Sequence, residues 1–250
     1  MHFNYHITPD TLPSPDRSDC IIKTSDHRCY VGVTWYDDES SLVAYSADTP
    51  FSTDSILINT RRSVNASSIY ATSQTVGYTC LSDSATESPC NNANMLRRSI
   101  LATTLPSGET IHSFDSLIAR TVEFNTSLCM NYTNFTNECP FYDVVDCEQC
   151  VIFVQYTQPS EVCATCPASG GYENFITLDT MIFLDNRTDS DTVSLLCQID
   201  GGCNSIANAN QIKQKLQSSF DYNKFFYSTA STSKPTMLSI LAIFSIILFH

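Results

Sequence analysis

The sequence predicts a mainly β chain, stapled by disulfides and assembled from two copies of one pattern. Its 250 residues carry twelve cysteines, an even number. Several stretches place apolar, β-branched or aromatic residues at every second position, the period of a half-buried strand. Three such segments and a closing Cys-Asn pair recur in the same order in the two halves, the mark of an internal duplication.

Taken in order, the first matched pair is Cys29-Tyr-Val-Gly-Val-Thr-Trp-Tyr and Cys150-Val-Ile-Phe-Val-Gln-Tyr-Thr. One face reads Val31, Val33, Trp35, and its counterpart Ile152, Val154, Tyr156. Trp35 continues an apolar face and is therefore expected in the core. Next, Asp54-Ser-Ile-Leu-Ile-Asn-Thr-Arg is matched to Asp179-Thr-Met-Ile-Phe-Leu-Asp-Asn-Arg. Then Ser73-Gln-Thr-Val-Gly-Tyr-Thr-Cys80 is matched to Ser190-Asp-Thr-Val-Ser-Leu-Leu-Cys197, again with alternation. Each copy closes through a short loop into Cys-Asn, at Cys90-Asn91 and at Cys203-Asn204. Apolar residues at three- and four-residue steps then predict short helices over Ala93–Leu101 and Ala207–Leu216. Pro106-Ser107-Gly108 reads as the connecting turn. The expected organisation is a first domain over 1–105, a second over 120–215, a stem with an attachment region over 216–236, and a hydrophobic tail over 237–250. The aromatic run Phe220–Tyr227 suits either a membrane-proximal stem or packing within the second domain.

Cysteines at this density point to an oxidising compartment, where disulfides stabilise small folds by about 2–4 kcal/mol each. The matched endings imply the pairs Cys80–Cys90 and Cys197–Cys203, which leaves Cys20 with Cys29 in the first copy. Cys129, Cys139, Cys147, Cys150, Cys163 and Cys166 remain in the second, with fifteen possible connectivities. A competing reading exists for four of them. Cys147-Glu-Gln-Cys150 and Cys163-Ala-Thr-Cys166 are two Cys-x-x-Cys pairs twelve residues apart, near the spacing of a four-thiolate zinc site. Zinc needs reduced thiolates, so the compartment decides between them.

A strand-based, cysteine-rich unit that ends in strand, Cys, loop and Cys-Asn resembles the three-finger domain of snake neurotoxins and urokinase-receptor-like surface proteins. The resemblance rests on Cys80 to Cys90-Asn91, on Cys197 to Cys203-Asn204, on the strands after Cys29 and Cys150, and on the C-terminal tail. It implies two three-finger-like β domains, and for Asn91 and Asn204 a buried role tying the loops together. It also implies tandem domains held by a glycolipid anchor. The sequence departs from that family in having Thr79 and Leu196 where a cysteine doublet would begin, and only four cysteines in the first copy.

The tail makes its own argument. Met237 to Phe249 is an unbroken run of thirteen apolar or small residues, about 20 Å as a helix and too short for a ~30 Å hydrocarbon core. Small residues around Ser228 and a polar spacer precede it, the layout of a glycolipid-anchor signal with Ser228 as the attachment residue. Sequons at Asn65, Asn125, Asn131, Asn134 and Asn186 agree with export as glycosylation sites. No basic start with an apolar stretch opens the chain, so a further N-terminal segment is expected ahead of Met1. A formal charge of −13 excludes nucleic acid as a partner, since phosphate binding needs clustered Lys and Arg. The histidines are scattered, and no catalytic elbow or phosphate-binding loop is present. Asp37-Asp38-Glu39 reads as a solvated loop tip. The sequence thus predicts a glycolipid-anchored cell-surface protein without catalytic activity or cofactor, binding an extracellular protein through loop tips. The alternative is a tail-anchored intracellular protein with a zinc-bound domain at Cys147, Cys150, Cys163 and Cys166.

Overall fold

In a computed structural model, the strands of both copies run into one continuous antiparallel sheet. The structure describes residues 1–13, 28–47, 53–81, 90–120, 129–136, 139, 149–167, 173–199 and 202–227. The first half contributes β1 (His2–Phe3), β2 (Arg28–Tyr36), β3 (Ser41–Ala47), β4 (Ser55–Val64), β5 (Tyr70–Leu81) and α1 (Ala93–Ala102). A crossing segment follows with β6 (Thr103–Thr104), α2 (Gly108–His112) and α3 (Asp115–Ile118). The second half supplies β7 (Tyr132–Thr133), β8 (Cys150–Tyr156), β9 (Glu161–Thr165), β10 (Asn174–Phe183), β11 (Thr188–Cys197) and α4 (Ile206–Leu216). The described chain ends with β12 (Ser219–Phe220) and α5 (Tyr222–Tyr227). The sheet order is β1-β3-β2-β5-β4-β10-β11-β8-β9-β7, so each half places its strands in the same sequence outward from the centre.

The mainly β expectation holds. The halves are not separate bodies, however: β4 and β10 pair over ten residues, from Asn174 opposite Val64 to Phe183 opposite Ser55. Register also corrects one sequence match. Thr79 and Leu196 each precede a closing cysteine, and they stand opposite Ser55 and Phe175. Ser55 therefore corresponds to Phe175, and Asp54 to Asn174 rather than to Asp179. What the strands share is alternation, Ile56 and Ile58 against Ile176 and Leu178, all buried. In this register Asn59 and Asp179 are each other's counterparts, and they are also paired. A local two-fold axis passes between them.

The axis emerges on the other side of the sheet through β6 and β12, where Thr103 pairs with Phe220 and Thr104 with Ser219. Beyond that point each half covers its neighbour. Ile111, Phe114 and Ile118 from α2 and α3 join the core of the second half, with Ile152, Val193, Leu195 and Ile212. Phe225 from α5 joins the core of the first, with Val31, Val33, Ile58 and Leu96. Phe225 is 2 % exposed and its ring lies 5.9 Å from that of Tyr78. Within the aromatic run 220–227, Phe220, Tyr222 and Phe225 thus pack on the core of the first half, while Phe226 and Tyr227 stay exposed. Burying one such side chain contributes roughly 1.5–3 kcal/mol, so the exchange ties the two halves into a single folding unit.

The short helices arise where the sequence placed them, within a residue at each end. Asn92 and Ser205, each two residues after a closing cysteine, cap α1 and α4 by accepting from the backbone N–H of Met95 and Asn208. Such caps are worth about 1 kcal/mol. Four disulfides join described residues: Cys80–Cys90, Cys129–Cys150, Cys139–Cys163 and Cys197–Cys203. The first and last are the pairs implied by the matched endings. Cys166 is also disulfide-bonded. Cys20 and Cys147 lie outside the described residues.

Candidate functional site

One face of the sheet carries the helices; the other carries a polar row. Ladder partners share a face, and alternation sends Val33, Trp35, Ile58 and Val154 toward the helices. The residues between them form a line across eight strands. It runs Leu42, Thr34, Thr75, Asn59, Asp179, Thr192, Gln155 and Glu161, each opposite the next. All eight are half-buried, and at about 4.8 Å between strands the line is roughly 34 Å long.

Its centre is the two-fold axis. The Asn59 amide donates to Asp179 Oδ1 at 2.6 Å, and the Thr34 and Thr75 hydroxyls bond each other at 2.8 Å. Burial pushes the Asp179 carboxyl above its ordinary value, opposed by the Asn59 hydrogen bond and the Arg61 charge. Arg61 lies one step along β4 over the Phe175 ring, 4.3 Å from its centroid, and 3.3 Å from Glu173. Toward the first half, Tyr30 lies flat over Gly32 and Gly77, which face each other across β2 and β5. A Cβ at Gly32 would fall 2.1 Å from the Tyr30 hydroxyl, and one at Gly77 2.4 Å from its ring, so a side chain at either position would displace Tyr30. The equivalent of Gly32 in β8 is Phe153, which instead packs against Phe135 at 5.6 Å. Hydroxyls, amides and carboxylates in a line on a rigid sheet can hydrogen-bond a polar partner at many points. The sequence expectation located recognition at loop tips. The signal for this row was present in the polar residues alternating with the strand apolars.

The two Cys-Asn residues make matching clamps. Asn204 is fully buried. Its amide donates to Val151 O at 3.0 Å, Thr165 O at 3.5 Å and Met130 O at 2.9 Å, and its Oδ1 accepts from Met130 N at 2.8 Å. Asn91 donates to Tyr30 O at 3.3 Å and Ser46 O at 3.2 Å. Tyr30 opposite Ser46 corresponds to Val151 opposite Thr165, so both asparagines close the same end of the same hairpin.

Other expected sites are dispersed. Asn65 and Asn186 sit at the ends of the β4–β5 and β10–β11 hairpins. Their Oδ1 atoms hold the turns, accepting from Ser67 and Ile69 N–H groups and from Thr188. Asn131 and Asn134 flank β7 and are exposed, and Asn134 is bonded to Ser160 O and Val162 N. Asn125 and Ser228, with the tail beyond it, lie outside the described residues. The four-thiolate arrangement loses three ligands, because Cys150 and Cys163 are disulfide-bonded to Cys129 and Cys139 and Cys166 is disulfide-bonded as well. Among the described residues no three His, Cys, Asp or Glu side chains are placed to hold a metal ion.

Asp37 is not an idle loop residue. Its Oδ2 accepts from Thr72 N at 2.6 Å and from Arg62 Nη1 at 3.2 Å. Arg62, 6 % exposed, is also bidentate to Asp115 at 2.8 and 2.9 Å. This cluster locks α3 and the β2–β3 turn onto the sheet. No local pattern announces it, because the three segments meet only in the fold. Asp38, beside Asp37, accepts from Ser40 N.

No family model matches the chain, and comparison with curated proteins and with solved structures finds no match. The likeness to the three-finger family therefore rests on the residues quoted for it.

Proposed function

We propose that this chain is a non-catalytic binding module of the cell surface, held to the membrane by a glycolipid and engaging a protein partner through the polar sheet face. The observation that supports it most is the pairing of Cys150 with Cys129 and of Cys163 with Cys139. Disulfides at those positions belong to an oxidising compartment, and they take ligands away from the intracellular zinc reading. A sheet closed at both ends by disulfide and asparagine clamps suits recognition without rearrangement, since little ordering is left to oppose binding. Among the described residues no helix is long and apolar enough to cross a membrane. The anchor is carried by the sequence of the tail.

Treating cells that express the full chain with a phosphatidylinositol-specific phospholipase tests this. The expected result is release of the protein into the medium, without the segment after Ser228. Protein that stays on the membrane with His250 still attached would contradict it.

A further inference from the structure

The geometry points to a phospholipid surface as the partner of the layer formed by α1, α4 and α5, which directs the polar sheet face away from the membrane. This rests on the anchored reading above. Three observations carry it together. The chain has 26 Asp and Glu against 13 Lys and Arg, yet these three helices contain Arg97, Arg98, Lys213, Lys215 and Lys224 and not one acidic residue. Arg97 and Lys213 are matched by Asp10 and Asp191; no ion pair among the described residues involves Arg98, Lys215 or Lys224. Asp221, which precedes α5, accepts the N–H of Lys224, and Asp189 acts on Tyr222 beside Arg187.

The same helices expose large apolar side chains. Leu101, Ile206, Phe226 and Tyr227 are 47 %, 37 %, 42 % and 70 % exposed. Phe226 and Tyr222 are flanked by Arg187, whose guanidinium lies 5.9 and 5.6 Å from their ring centroids. Cations beside exposed aromatic and aliphatic groups form the surface that seats a helix at the headgroup boundary: apolar tips enter the acyl margin while Lys and Arg meet phosphates. Thirdly, α5 ends at Tyr227, and only nine residues separate it from the apolar run that begins at Met237. Nine residues reach at most about 32 Å, and attachment at Ser228 leaves none. The membrane is the surface this layer meets first.

The test uses the full chain on intact cells. A membrane-impermeant amine reagent is applied before and after phospholipase release, and modification of Lys215 and Lys224 is read by mass spectrometry. An Ile69→Lys variant, at the exposed tip of the β4–β5 hairpin, reports on a site outside the layer. The expected result is several-fold lower modification of Lys215 and Lys224 while anchored, with the introduced lysine equally reactive in both states. Phe226→Ser with Tyr227→Ser should abolish that difference. Equal reactivity of Lys215 and Lys224 before and after release overturns the proposal. Protection that persists in the released protein also overturns it, by showing that another protein covers the layer. If the phospholipase releases nothing, the glycolipid reading fails on its own. Membrane-bound and detergent-extracted chains are then compared: a difference upholds the docking, and equality overturns it.

Discussion

Asn204→Ala is expected to lower unfolding stability by about 3 kcal/mol, because a buried polar group left unpaired costs roughly 1–3 kcal/mol and several lose their partner here. Asn204 is fully buried, and one side chain joins Met130, Val151 and Thr165. Alanine leaves the Met130 N–H and the Val151 carbonyl without that partner, next to the Cys197–Cys203 bridge. The counterpart Asn91→Ala should cost less, about 1 kcal/mol, because Asn91 is only half-buried and makes longer bonds. Thermal unfolding with the disulfides intact measures both, at about 2–4 °C per kcal/mol for a chain of this size. Equal midpoints for Asn204→Ala and the parent would show that the clamp does not hold the second half together.

Asp115→Ala is expected to cost about 2–3 kcal/mol. Removing one partner of a fully buried ion pair costs ~3–5 kcal/mol. The lower figure applies because Asp115 is 35 % exposed and Asp37 still faces Arg62. Arg62→Met should be milder, since a hydrophobe of similar volume leaves no uncompensated buried cation. Asp37→Ala should also destabilise, whereas Asp38→Ala should leave the midpoint unchanged. Denaturant unfolding of the four variants separates these outcomes. An Asp115→Ala midpoint equal to that of Asp38→Ala would mean the Arg62 cluster is a surface contact.

Much of this architecture was readable from the residues, and the misses have physical causes. The β2 and β8 strands, the β5 and β11 strands and both capped helices followed from local alternation and from the Cys-Asn endings. These are short-range signals. The β4 and β10 match slipped by five residues because it followed the Asp and Arg at the strand ends. The fold keeps only the alternation of Ile56 and Ile58 with Ile176 and Leu178. The exchange of segments across the two-fold axis was invisible for a different reason. Phe225 and Ile111 are apolar residues in short helices, and nothing local says which half they cover. Asp37 looked like a solvated tip because its partner Arg62 is 25 residues away. The polar row likewise exists only once register sets Thr34, Thr75, Asn59, Asp179, Thr192 and Gln155 side by side.

The most direct test of the disulfide-clamped surface module is non-reducing mass mapping of the chain purified from cells, with its zinc content measured alongside. The expected result is no zinc, with Cys129 linked to Cys150, Cys139 to Cys163, Cys80 to Cys90 and Cys197 to Cys203. Alkylatable thiols at Cys150 and Cys163, together with one zinc ion per chain, would contradict it and establish the intracellular zinc protein instead.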